Sequence, residues 1–102
     1  MTPTTGDVWL ADVGGETRRS VYVDSDDRFH SLAERAIVAP VLPSHGVARN
    51  PPWWIAHEDA VVALERLSSF PVDRLVERHG TAPYSTVRAV QRAIGWLTGT
   101  DR

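Results

Sequence analysis

Trp53 and Trp54 follow two prolines, and Ser44 and His45 lie in the loop before them. These residue types suit single-stranded nucleic acid. An exposed indole stacks on a base, a hydroxyl hydrogen-bonds a phosphate, and an imidazole exchanges protons near neutral pH. All eleven basic residues are arginine, and each carries a planar fork matched to phosphate oxygens. Plainer accounts stand beside these. An all-arginine usage also follows from coding bias, a loop histidine is commonly just solvated, and paired tryptophans also serve as core or interface anchors. Adjacent strand residues point to opposite faces, so one indole can be core and the other exposed. Asp24, Asp26 and Asp27 have calcium-loop spacing but lack the glycine and the distal bidentate glutamate. They read as a solvated acidic loop. His57-Glu58-Asp59 reads as a turn rather than a metal site. Cysteine is absent, which excludes disulfides and thiolate metal sites.

The elements that would position these groups are mostly strands in the first half. Asp7–Val13 is rich in β-formers, with Trp9, Ala11 and Val13 on one face. Gly14-Gly15 signals a turn, and Arg19–Val23 completes an expected hairpin. Ser25–Phe29 reads as a polar loop. Arg35–Val41 is a third strand, nearly continuously apolar and so buried on both faces. Leu42–Pro52 is expected to be a loop. Trp53–Ala56 is a short strand at a sheet edge, since the proline before it cannot donate to a ladder. Ala60–Leu67 begins as a strand and turns polar. Phe70–Gly80 carries local helix signals, a proline at its start and a glycine at its end. Thr86–Thr98 is the clearest helix, with Val87, Val90, Ile94 and Leu97 at helical spacing, Ser85 as N-cap, and Arg88 and Arg92 as solvated charges opposite.

A chain of 102 residues fits one domain, residues 1–102, with a modest margin of buried surface. Self-association would add to that margin. Apolar residues at 42% and charged residues at 24% are ordinary globular proportions. Net charge is −2, so no global positive field draws in nucleic acid, and any RNA or DNA binding must come from a local patch. The longest apolar run, Ala36–Leu42, is too short to span a bilayer. With no signal-peptide pattern at the N-terminus, a cytoplasmic location is expected. Five short strands cannot bury one another as a flat sheet, so a small curled barrel with the helix packed on it is the economical fold.

Four segments, in order, resemble the MazF/PemK toxin family. Gly6-Asp7-Val8-Trp9-Leu10-Ala11-Asp12 is similar to the family's opening strand, Arg18-Arg19-Ser20-Val21-Tyr22-Val23 to its second, and Ala36-Ile37-Val38-Ala39-Pro40-Val41 to its "VIVAPIT" strand. Residues 59–70 (DAVVALERLSSF) resemble its "DSVVLLDQIRTI" segment. The likeness spans essentially the whole chain. It implies a mainly β, SH3-like barrel of the CcdB/MazF/PemK type with a C-terminal helix, and a homodimer. It implies an endoribonuclease that cleaves single-stranded RNA with no metal or other cofactor, held in check by a MazE-like cognate antitoxin whose disordered tail covers the active groove. It also implies that part of Leu75–Arg78 is a strand, against the local helix signals, and tertiary context outweighs short-segment propensity.

Metal-independent RNA cleavage needs a base for the 2′-hydroxyl, an acid for the leaving 5′-oxygen and a cation for the phosphorane. By the resemblance, Arg19 stands at the family's functional arginine and would clamp the scissile phosphate. Glu65 stands where many members carry an acidic residue that would serve as base. The family's usual Thr or Ser after "VAPI" is here Leu42, and Ser44 or His45 would have to replace its hydroxyl. The catalytic set is therefore Arg19, Glu65 and Ser44. The RNA-binding set is Arg18, Arg28, His45, Arg49, Trp53, Trp54 and Arg66. Ser20 replaces the usual proline, and Arg66 and Ser68 replace the family's glutamine and arginine beside the carboxylate. Two other functions remain open: a degenerate relative that only binds antitoxin, and a CcdB-like gyrase inhibitor. The latter needs a terminal Trp-Gly-Ile, whereas this chain has Gly95-Trp96-Leu97 and then a polar tail.

Overall fold

The computed structural model describes residues 2–44 and 50–100. Its first hairpin joins β1 (Asp7–Gly14) to β2 (Thr17–Val23) in antiparallel register, with Trp9 opposite Val21 and Ala11 opposite Arg19. Gly15 and Glu16 turn the hairpin with φ of +58° and +64°, the left-handed pair that a two-residue connection requires. β3 (Arg35–Pro43) pairs with β2 along one edge and with two strands along the other. These are β5 (Ala60–Ala63), which carries the edge strand β4 (Trp54–His57), and β6 (Ser68–Pro71). β7 (Leu75–Thr81) closes on β1, giving the order β4-β5-β3-β2-β1-β7 with β6 beside β3.

Two apolar layers follow from the period of two along these strands. Trp9, Ala11, Val21, Val23, Ala36, Val38 and Leu75 form one, with Phe70 and Val72 against it. Tyr22, Ala39, Val62 and Leu64 form the other, under Ala82, Val90 and Ala93 of the C-terminal segment. α2 (Tyr84–Thr98) covers this second layer. Seven strands, rather than the expected five, and one packed helix give the barrel-like architecture, although the sheet does not close on itself.

Four local expectations are corrected. Residues 27–33 are a helix, α1 (Asp27–Ala33), not a loop. Asp26 caps it by accepting from the Phe29 amide at 3.1 Å, so part of the acidic cluster is a helix start. His30 then anchors the helix, buried between the Pro3 carbonyl at 2.8 Å and Ser25 Oγ at 2.6 Å. The local helix signals over residues 70–80 are overruled, as the family resemblance implied for Leu75–Arg78: Pro71 ends β6, a 3-10 turn spans Val72–Arg74, and β7 follows. Pairing with β1 overrides the local propensity there, Ala11 lying opposite Leu75 and Trp9 opposite Arg78. Pro83, not Ser85, precedes the first turn of α2, with no side-chain cap, as fits proline's fixed φ. Leu42 and Pro43 belong to β3 because they pair with Val61 and Ala60.

The opening Gly-Asp-x-Trp segment is a structural clasp. Asp7, 2% exposed, accepts from the Thr4 amide at 2.9 Å, Trp9 Nε1 at 3.2 Å and Thr81 Oγ1 at 3.1 Å. Arg78 lies 3.6 Å from the same carboxylate. One buried acid thereby fixes the N-terminus, β1 and β7 to one another.

Candidate functional site

Register decides which side chains share a face, because directly opposed residues point to the same side of a sheet. Arg19 lies opposite Ala11, and Val21 opposite both Trp9 and Pro40. Leu42, two residues beyond Pro40, lies opposite Val61, Val61 opposite Ala56, and Ala63 opposite Trp54. Arg19, Pro40, Leu42, Ala56 and Trp54 therefore project from one face, the one turned away from α2. Phe70, Val72 and Leu75 fill that face at its other end. The end holding Arg19 and Trp54 keeps Arg19 and Ala56 exposed and Leu42 and Trp54 half-buried.

Glu65 joins this face through a side-chain bond. It sits in a 3-10 turn, Leu64–Arg66, just past β5. Its two carboxylate oxygens accept from Trp54 Nε1, at 2.8 and 3.0 Å. Arg19, on β2, and Glu65, just past β5, thus border one surface, with β3 between their strands and about 10 Å from β2 to β5 across the sheet. No ion pair joins them among the described residues. An arginine on one side and a fixed carboxylate on the other can hold a phosphodiester and accept a proton.

The other expected residues scatter. Ser44 leaves β3 exposed, its amide donating to the Asp59 carbonyl at 3.3 Å. Arg66 is exposed beside Glu65. Arg18, opposite Asp12, points to the reverse face from Arg19. Arg28 lies on α1, past the far end of β2, and is not brought to this face. Trp53 faces α2 and stacks on Trp96, with ring centres 6.0 Å apart and planes 14° from parallel. It belongs to the second layer. The two adjacent indoles thus divide between the faces. His45 and Arg49 lie outside the described residues.

Sequence reasoning missed a cavity of about 310 Å³ on the reverse face, where Ser20, His57, Asp59, His79 and Thr81 converge. His57 was legible as a turn residue; His79 carried no signal, because only the pairing of β7 with β1 brings it there. A shallower apolar groove lies between β4 and α2, lined by Pro52, Ile55, Ala89, Arg92, Ala93 and Trp96. Trp96 remains 53% exposed.

Comparison with known families settles the ancestry of this fold. The model of the PemK-like, MazF-like toxins of type II toxin–antitoxin systems matches residues 4–98. The chain belongs to this family. Among solved structures, a MazE–MazF complex from Deinococcus radiodurans superimposes with a TM-score of 0.82 at 20% identity, covering 97% of each chain. An endoribonuclease in complex with its cognate antitoxin, from a mycobacterial species, gives 0.82 at 17% identity, covering 95% of each. The Mycobacterium tuberculosis toxin MazF-mt6 gives 0.74 at 19% identity, covering 94% of this chain and 99% of the other. At these identities the structural likeness establishes the shared fold, and the family match establishes the kinship.

Proposed function

We propose that this MazF-family chain is an endoribonuclease toxin acting on single-stranded RNA, with Arg19 as phosphate clamp and Glu65 as base. The observation that carries the reading is the placement of both residues on the sheet face turned away from α2. The 2′-hydroxyl attacks the adjacent phosphorus as Glu65 accepts its proton. Arg19 stabilises the charge on the non-bridging oxygens. The P–O5′ bond breaks, and the departing oxygen takes a proton from water. The products are a 2′,3′-cyclic phosphate and a 5′-hydroxyl, with no change in oxidation state.

A homodimer in the cytoplasm, neutralised by a cognate antitoxin laid across this face, completes the reading. Its support is kinship with toxins crystallised as MazE–MazF complexes. Purified protein incubated with a long RNA at low salt in EDTA is expected to produce discrete fragments ending in cyclic phosphate. Arg19→Ala should lower the cleavage rate by at least a hundredfold. Uncleaved RNA, together with undiminished toxicity of Arg19→Ala in cells, would sink the proposal.

Leu42 favours a second reading. An aliphatic side chain stands on the same face as Arg19, where the family's hydroxyl is expected, and it offers a phosphate nothing. A degenerate relative that binds antitoxin without cleaving RNA fits that feature. It predicts a tight antitoxin complex from a chain that leaves every RNA tested intact.

A further inference from the structure

We propose that Trp54 is a positioning residue for Glu65: its indole N–H holds the carboxylate in the orientation from which it accepts the 2′-hydroxyl proton. The inference rests on the reading of Glu65 as base, and it assigns to Trp54 a role other than stacking on RNA.

The geometry is specific. One N–H reaches both carboxylate oxygens, at 2.8 and 3.0 Å, which fixes the place of the carboxylate and the direction in which it faces the ring. Trp54 stands on the edge strand opposite Ala63. A methyl group there leaves the large ring free to reach past the end of β5 to the turn that carries Glu65. Trp53 makes the core contact on the other side by stacking on Trp96, so Trp54 is not needed for that packing.

The chemistry of the donor matters as much as its position. A glutamate in an exposed surface turn ordinarily samples many rotamers, and holding it still costs side-chain entropy of about 1–2 kcal/mol. A base that must meet the 2′-hydroxyl at hydrogen-bond distance gains from having that ordering done before substrate arrives. An arginine or lysine partner would supply it too, but a cation stabilises the ionised carboxylate and weakens it as a base. Indole is neutral, donates only, and does not ionise in the working range. It cannot take the proton that Glu65 receives. A carboxylate offers about four lone-pair positions, so sharing one N–H leaves room for the incoming hydroxyl. Among the described residues no ion pair involves Glu65.

The test combines spectroscopy and kinetics. The chain has four tryptophans, hence four indole N–H signals in a proton–nitrogen correlation spectrum. The signal that vanishes in Trp54→Phe is expected to move with pH in the wild type and to stay flat in Glu65→Gln, whereas the Trp9 signal, whose N–H donates to Asp7, should respond alike in both. On a short single-stranded RNA, Trp54→Phe should lower kcat about tenfold with KM within twofold. Glu65→Gln should be slower still.

The failures separate cleanly. If Glu65→Gln cleaves as fast as the wild type, the base assignment itself is wrong and the inference falls with it. If Glu65→Gln is crippled while Trp54→Phe keeps its kcat, Glu65 stands as base and the positioning role is refuted. A raised KM at unchanged kcat makes Trp54 an RNA-stacking residue instead, which also refutes it. The wild-type and Glu65→Gln spectra decide the question even if Trp54→Phe folds poorly: if no indole signal loses its pH response in Glu65→Gln, the proposal is overturned.

Discussion

Trp53 stacks on Trp96 with ring centres 6.0 Å apart, and this contact, just before the edge strand β4, joins Ile55 of β4 in fastening that edge to α2. The Leu64 amide, which donates to the Trp53 carbonyl at 2.9 Å, ties the same residue to the turn carrying Glu65. An offset aromatic stack is worth about 0.5–1.5 kcal/mol beyond the area it buries. Trp96→Ala should therefore destabilise the fold by about 1–3 kcal/mol in urea titration. Because Trp96 is half-exposed, the loss should stay below that of a fully buried tryptophan. A loss above about 4 kcal/mol would mean that Trp96 is buried in an assembly of chains.

Gly6 is the position where glycine is required outright. Its φ is +93°, and a Cβ built there would meet Val87 Cγ2 of α2 at 2.9 Å. Both the backbone and the packing of the helix resist any side chain. Gly6→Ala should cost about 2–3 kcal/mol and lower the melting temperature by roughly 10 °C. A melting temperature within 2 °C of the wild type would show that Val87 moves aside freely.

The neighbouring Asp7 holds the clasp together. Asp7→Ala strands the Trp9 indole N–H and the Thr4 amide in a region with little access to water. Breaking a buried charged acceptor out of such a network costs about 3–5 kcal/mol. Asp7→Asn should recover part of the loss, since an amide oxygen still accepts. The two variants, compared by chemical denaturation, should rank wild type, Asn, Ala; equal stability of Asn and Ala would remove the hydrogen bonds as the cause.

Much of this was legible in the chain. The shared face of Trp9 and Ala11, a glycine-bearing turn after β1 and the helical spacing of Val87, Val90 and Ile94 follow from local chemistry and were realised, whereas Val13, at the register shift near the hairpin's end, is 40% exposed. α1 was missed because the signal at residues 24–27 looked like charge rather than a cap. His30 fastens that helix to the N-terminal segment through the distant Pro3 carbonyl, which no local pattern contains. β6 was hidden for the same reason, since its register comes from β3, and β7 was legible only through the family resemblance, since its pairing with β1 is not local. At the candidate site, the type of Arg19 and Glu65 was readable. The Trp54–Glu65 bond was not, because it joins residues eleven positions apart through a fold-dependent turn. The His57–His79 convergence likewise depends on β7 reaching the sheet's other end.

Asp24 makes stability depend on pH. Burial pushes its carboxyl up to about 6 from an ordinary 3.8, and it in turn helps burial hold the Tyr22 hydroxyl up at about 12. A carboxyl raised in the folded state binds its proton more tightly there than in the unfolded chain. Its stabilising contribution is complete below pH 3.8 and is lost as pH rises through 6. After allowance for its partial exposure, that contribution is about 1–2 kcal/mol. Asp24→Asn should therefore raise stability at pH 7.5 relative to wild type and leave it nearly unchanged at pH 4. A difference of the same size at both values would exclude titration of Asp24 as its origin.

Leu42 offers the sharpest test of how this face handles phosphate. It is half-buried, opposite Val61 in the ladder, on the same side of the sheet as Arg19. Threonine is smaller, β-branched and well suited to a strand, so Leu42→Thr should cost no more than about 1–2 kcal/mol of stability. Its hydroxyl would add one hydrogen bond to a phosphate oxygen as negative charge develops there. A bond formed mainly in the transition state raises kcat, and a gain of about tenfold corresponds to roughly 1.4 kcal/mol. Leu42→Val, equally branched and without the hydroxyl, separates shape from chemistry: it should leave the rate within about twofold of wild type. If valine and threonine accelerate cleavage equally, the gain comes from room on the face. If neither does, Arg19 and Glu65 work without a hydroxyl at this position.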